Sequence, residues 1–252
     1  MKLTDGVYLV GSGRTGFALS DDYDSHVYVL DGGDESALID AGGGRDPAAI
    51  LNAISAAGLD PLRIRWLLIT HAHADHSGGA AALRRAIPGL QVSISGDVAR
   101  SLRDGDERAI SLDVARTAGI YPSDYRFAAC PVDRELADGD RVQVGDWAVE
   151  AIATPGHSRG HLSYLARRPA ADGPAHLFTG DALFFGGRIL LQNIPDCSVT
   201  ESVQSIERLA DRGPTVEGLF PGHMAVSVRD GRRHIEQAQR WGQRLLPPPQ
   251  LF

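Results

Sequence analysis

The sequence predicts an α/β protein, and three observations carry that expectation. Short apolar runs bounded by Gly, Asp and Pro recur through both halves of the chain, as strands do. In the first half a strand (64–69), a helix (80–87) and another strand (91–94) follow one another, the order of an α/β unit. Of 252 residues, 43% are hydrophobic and 23% charged, enough for a sizeable core in one large domain or two small ones.

In chain order, residues 6–10, 26–30 and 37–39 read as short strands of an antiparallel meander, with the DGGD sequence at 31–34 as the turn between the last two. Asp46 followed by Pro47 opens a helix to about residue 57, because a carboxylate caps the first N–H groups and proline suits the first helical position; Gly58 closes it. The strand at 64–69 leads into a histidine-rich turn, the helix at 80–87 stops at Pro88-Gly89, and the strand at 91–94 follows. Residues 97–119 have charged, helix-forming character, and Tyr121, Tyr125 and Phe127 follow in an irregular stretch. Residues 96–130 are therefore expected to form a helical insertion that covers a site, the alternative being a plain connection. Strands are expected at 142–144, 148–152, 162–165, 176–178 and 218–220. A helix at 200–210 carries Val203, Ile206 and Leu209 on one face and is capped by Ser198 or Thr200; a closing helix spans 234–245.

Composition excludes several classes. With 25 basic and 32 acidic residues the net charge is −7, and no basic stripe suits nucleic acid. No apolar run reaches membrane-spanning length, and the N-terminus lacks the apolar core of a secretory signal, so a cytoplasmic protein without membrane or nucleic-acid partners is expected. Cys130 and Cys197 have no CxxC spacing; buried free thiols are expected. Glycine, 29 residues, clusters where backbones turn tightly or approach a ligand, as at 42–44, 78–79 and 186–187.

The chemistry concentrates in residues 70–79, THAHADHSGG, where His71, His73, Asp75 and His76 fall within six positions. Neutral imidazoles and a carboxylate on a turn at the end of a buried strand are what a metal site needs. Three more donors each follow an apolar strand in a glycine-containing turn: His157 in TPGH, Asp181 in TGD and His223 in PGH. Turns at the same ends of neighbouring strands converge on one point. Five histidines and two aspartates exceed one tetrahedral ion and suit two, each with three protein ligands, a shared carboxylate and a shared water.

The ordered set THAHADH, TPGH, GD and PGH resembles the metallo-β-lactamase superfamily, and most of all its glyoxalase-II-like hydrolases, across roughly residues 20–225. The resemblance implies a single domain over 1–252 with an αββα sandwich fold, two mixed β-sheets flanked by helices. It implies that His71, His73 and His157 hold one ion, that Asp75, His76 and His223 hold the other, and that Asp181 bridges them. Asp40, in LIDAGG, matches an aspartate that supports the cluster without touching metal. The implied cofactors are two divalent cations, zinc first, with iron and manganese as the other candidates. His161 is expected to shape its loop, and His26, His176 and His234 to be structural or solvated.

The implied activity is hydrolysis of a small ester, thioester or lactone by a metal-bridging hydroxide, with Asp75 and Asp181 as the proton-handling carboxylates. Arg188, Gln192 and Asn193 are expected to line the substrate pocket, with an apolar wall from Phe184, Phe185, Ile189 and Leu190. Phe184 stands where acyl-homoserine lactonases usually carry a tyrosine, and the 29 residues after His223 are short for a glutathione-binding region. The competing expectations are a persulfide-dioxygenase-like iron enzyme using only the three-histidine subsite and, ranked lower, a binding module with a vestigial site. A nuclease role fits the acidic balance poorly. The partner is a small molecule, and the oligomeric state is open, a homodimer included.

Overall fold

The structure, a computed structural model, describes residues 1–168 and 175–251. It divides into two compact units, Met1–Glu135 and Leu136–Phe252. Each is built on one mixed sheet.

The first sheet takes its strands in chain order. β1 (Lys2–Thr4), β2 (Val7–Gly11), β3 (Val27–Asp31) and β4 (Ser36–Ile39) form the antiparallel meander. From β4 the direction is kept: β5 (Ile64–Leu68) and β6 (Gln91–Ser95) run parallel to it. The reversal is made by helices, α1 (Pro47–Ala56) before β5, and α2 (Ala74–Ser77) with α3 (Ala80–Ala86) before β6. Asp46 caps α1 as expected, its carboxylate accepting from the Ala49 N–H at 3.1 Å, and Gly58 closes the helix at φ +78°. β4 is buried throughout and β6 is buried beyond Gln91, whereas β5 exposes Arg65; Val29, Leu38, Leu67 and Val92 pack with Ile50, Ile54 and Leu83.

The segment after β6 departs from the single helical stretch expected over 97–119. It forms two short helices, α4 (Ala99–Asp104) and α5 (Leu112–Thr117). Gly105 ends α4 in the left-handed region at φ +65°, and the Asp106 carboxylate accepts from the Arg108 and Ala109 N–H groups at 3.1 Å each, building a turn where a continuous helix would need backbone bonds. β7 (Arg134–Leu136) completes this sheet. β1 and β7 were not anticipated, because three residues are too few to show alternation.

The second sheet contains β8 (Arg141–Val144), β9 (Trp147–Ala153), β10 (Leu162–Arg167), β11 (Ala175–Gly180) and β12 (Val216–Pro221). Its strands are antiparallel up to β11, and β12 is parallel to β11 after α6 (Val199–Arg212). Ser198 is the cap of α6, accepting from the Glu201 N–H at 3.3 Å; Thr200 is already inside the helix. The buried face of α6, with Ile206 and Leu209, packs with Ile152, Leu177, Leu219 and Ile235. The last helix, α7 (Gly231–Gly242), begins three residues before the expected position.

Strand direction decides where side chains gather. In the first unit β4 and β5 end at one edge, which delivers Asp40 beside the 70–76 turn. In the second, β9, β11 and β12 share a direction, so the turns bearing His157, Asp181 and His223 leave from one edge. Both cysteines are free; Cys130 is buried as expected, whereas Cys197 is only half-buried. Among the described residues, no helix is long and apolar enough to cross a membrane.

Candidate metal centre

In the first unit the chain leaves β5 and turns into α2; His71 and His73 lie on the turn, and Asp75 and His76 lie in α2 itself. The turn fits only because glycine follows it: a Cβ on Gly79 would stand 2.0 Å from the Ala41 carbonyl oxygen. Asp40, itself at φ +62°, is the anchor. Its carboxylate accepts from the Thr70 N–H at 2.7 Å, from the Thr70 hydroxyl at 2.9 Å and from His76 Nδ1 at 2.8 Å. These contacts determine two tautomers. His76 must carry its proton on Nδ1, because a carboxylate only accepts. Thr70 gives its single hydroxyl proton to Asp40, so His71 Nδ1, 3.0 Å from that oxygen, must donate to it.

Both rings therefore present an Nε2 lone pair. His71 Nε2 lies 3.1 Å from His73 Nδ1, and His76 Nε2 lies 3.7 Å from Asp75 Oδ2. Metal–nitrogen bonds of about 2.0–2.1 Å set ligands about 3.3 Å apart around a tetrahedral ion. The two pairs bracket that separation. A metal-binding histidine normally donates its other nitrogen to an oxygen, as these do.

The second unit repeats the design. His157 Nδ1 donates to the Leu190 carbonyl at 3.0 Å, which directs Nε2 to Asp181 Oδ2 at 3.6 Å. His223 Nε2 lies 3.5 Å from the same Asp181 oxygen. One carboxylate oxygen thus stands between two imidazoles at ligand spacing. The TPGH turn that bears His157 holds because Gly156, at φ +136°, sits where a Cβ would meet the Ser202 hydroxyl at 2.3 Å. His161 acts as expected of a loop-shaping residue. Its Nε2 accepts the Asp181 backbone N–H at 3.1 Å, and its Nδ1 donates to the Thr154 hydroxyl at 2.8 Å.

The expected substrate wall is brought together only in part. Phe184 is fully buried and belongs to the core of its unit, while Phe185 is exposed and packs on His234 with ring centroids 4.4 Å apart. Arg188 donates to the Gln250 carbonyl at 2.7 Å. Ile189 is buried; Gln192 and Asn193 are exposed on the loop whose Leu190 carbonyl holds His157. His26, His176 and His234 are all buried, and burial with the nearby Arg168 charge pushes His176 down to about 4. Thr70, Tyr121 and Leu190 were not anticipated as supports of the ligand turns. Thr70 stood inside the motif, whereas Tyr121, whose hydroxyl donates to Asp75 Oδ1 at 2.9 Å, and the Leu190 carbonyl carry no local signal.

Asp24 is a further buried acid, its carboxylate accepting the Gly43 N–H at 2.7 Å, and desolvation pushes its pKa up to about 6. A carboxyl whose folded pKa exceeds its unfolded value of 3.8 contributes stability at low pH that is lost as pH rises toward 6. His176, lowered from 6.5 to about 4, has the opposite sign and loses stability as pH falls through that window. The difference between variants is therefore the readout. Asp24→Asn should gain stability over the wild type between pH 4 and 7, by up to about 3 kcal/mol for a shift of about two units. Urea unfolding at both pH values measures this, and a pH-independent difference would reject it.

Comparison with known proteins agrees with the motif order. Residues 20–223 match the model of the metallo-beta-lactamase superfamily. The chain belongs to this superfamily, and its two mixed sheets with flanking helices are that fold. Two relatives are an atrochrysone carboxyl ACP thioesterase of Aspergillus fumigatus (29% identical over 84% of this chain and 54% of the relative) and a hydroxyacylglutathione hydrolase of Anaeromyxobacter dehalogenans (32% over 65% and 48%). The chain spans about half the length of these two relatives. Among solved structures, a metallo-β-lactamase of Cronobacter sakazakii superposes with a TM-score of 0.72 over 97% of this chain and 96% of its own, at 21% identity, which shows the shared fold.

Proposed function

We propose that this chain is a binuclear metal-dependent hydrolase of small thioesters, with both units forming one functional domain. The observation that carries the reading is the Asp181 carboxylate oxygen, 3.6 Å from His157 Nε2 and 3.5 Å from His223 Nε2. In this reading His71, His73 and His157 would hold one divalent cation, Asp75, His76 and His223 would hold the other, and Asp181 would be available to both. The donor chemistry fits zinc: mixed imidazole and carboxylate ligands, spaced for tetrahedral coordination, with three histidines oriented through their second nitrogen. The family match supports joining the two halves, since residues 20–223 span both units.

Bound there, the cations would supply a water ionised near neutral pH and a polarised acyl carbonyl, with no serine or cysteine nucleophile required. The protein's part is orientation. Asp40 and Thr70 keep His76 and His71 in the ligating tautomer, and the Leu190 carbonyl does the same for His157. Asp75 and Asp181 are the carboxylates through which a proton would pass to the leaving group. A thiol leaves more readily than an alcohol, which lightens that task. The thioester preference rests on the two relatives, whose names both describe acyl–sulfur substrates.

Protein purified without added metal should contain two equivalents of divalent cation per chain. It should turn over an acyl thioester faster than the matching oxoester or lactone. One iron per chain, with oxygen consumed in the presence of a persulfide, would overturn the hydrolase reading.

A further inference from the structure

We infer that Tyr121, from the 96–130 segment, is a positioning residue that commits Asp75 to the His76 metal subsite through a single carboxylate oxygen; this rests on the binuclear reading above. The Tyr121 hydroxyl donates to Asp75 Oδ1 at 2.9 Å. The other oxygen, Oδ2, is the one facing His76 Nε2, at 3.7 Å. A carboxylate without such a partner rotates between one- and two-oxygen binding, and it presents either oxygen. With Oδ1 engaged by the phenol, Oδ2 is left for the cation.

The phenol is held in place by its surroundings. Tyr121 is buried and stacks on Tyr125, ring centroids 5.1 Å apart, and on Tyr23 at 5.8 Å. The Tyr23 ring carries the Arg14 and Arg45 guanidinium groups at 4.9 and 5.0 Å, and Arg14 also donates to the Ile120 carbonyl at 3.3 Å. Tyr125 is itself anchored, its hydroxyl donating to the Gly43 carbonyl at 2.7 Å. An ionised carboxylate only accepts, so the Tyr121 hydroxyl is the donor in this bond. The segment expected to cover the site thus reaches it through one hydroxyl.

Tyr121→Phe keeps the ring and the stack and removes only that donor. Zinc titration against a chromophoric chelator should show two binding steps in the wild type. In Tyr121→Phe one step, that of the Asp75–His76 subsite, should loosen by about 10- to 100-fold while the other stays unchanged. Tyr125→Phe serves as the control, since its hydroxyl touches backbone carbonyls and no ligand side chain. It should lower the urea midpoint of the metal-free protein without a selective loss of one zinc ion. Two unchanged steps in Tyr121→Phe, equal weakening of both steps, or the same selective loss in Tyr125→Phe would each overturn the proposal. A wild type that takes up fewer than two zinc ions would overturn the binuclear reading and this inference with it. Two wild-type steps that Tyr121→Phe retains would overturn this inference alone.

Discussion

Asp181→Ala is expected to strip the protein of both metal ions and to lower thioester hydrolysis by several orders of magnitude. Its Oδ2 stands within 3.6 Å of two histidine nitrogens assigned to different ions. Two divalent cations about 3.5–4 Å apart repel by on the order of 20 kcal/mol at an effective dielectric constant of 20, and anionic ligands between them are what offset this. Alanine removes the shared anion and leaves two incomplete ligand sets. The loop itself should persist, because the bond from His161 engages the Asp181 backbone N–H, which the substitution keeps. Metal content by mass spectrometry and kcat on a thioester are the measurements. Wild-type stoichiometry with undiminished turnover would rule out the bridging role.

The second large effect is expected from a change that conserves shape. Asp40→Asn should leave the metal-free fold close to wild-type stability yet weaken the ion of the Asp75–His76 subsite by about 10- to 100-fold or more. The asparagine Oδ1 can still accept from Thr70 N–H, now served at 2.7 Å. Its amide NH2 then faces His76 Nδ1 where a carboxylate oxygen lay at 2.8 Å. Two donors cannot face each other, so the ring must accept at Nδ1 and carry its proton on Nε2, the atom that should bind metal. Asp40→Ala is a different experiment. It leaves a buried Thr70 N–H without an acceptor, at about 1–3 kcal/mol, and places alanine at φ +62°, where it is disfavoured relative to aspartate by a further ~1 kcal/mol at most. Zinc titration together with urea unfolding separates the two outcomes. Retention of both ions by Asp40→Asn would show that the His76 tautomer is not set by Asp40.

The strands and helices that carry the donors were legible because their signals are local. Asp46-Pro47 and Gly58 bracket α1, apolar runs mark β4 and β5, and the histidine turn announces itself by density alone. The segment between β6 and β7 was harder, since Gly105 and Asp106 break a pattern whose composition favours a single helix. Phe184 follows Asp181 closely in sequence, which is what suggests a pocket wall there. Its burial shows that proximity along a loop does not say which way a ring turns.

What the sequence determined by itself is the donor set and the strand ends that bear it. Donor identity is a property of residue type, and strand direction follows from the pattern of turns and helices. Tertiary structure alone decided the orientation of those donors: the Asp40–Thr70–His71 relay, the Leu190 carbonyl on His157 and the Tyr121 hydroxyl on Asp75. Each of the last two joins atoms 33 and 46 positions apart through a backbone carbonyl or a phenol. Such groups are too common along any chain to mark themselves, and only folding selects which one meets a ligand.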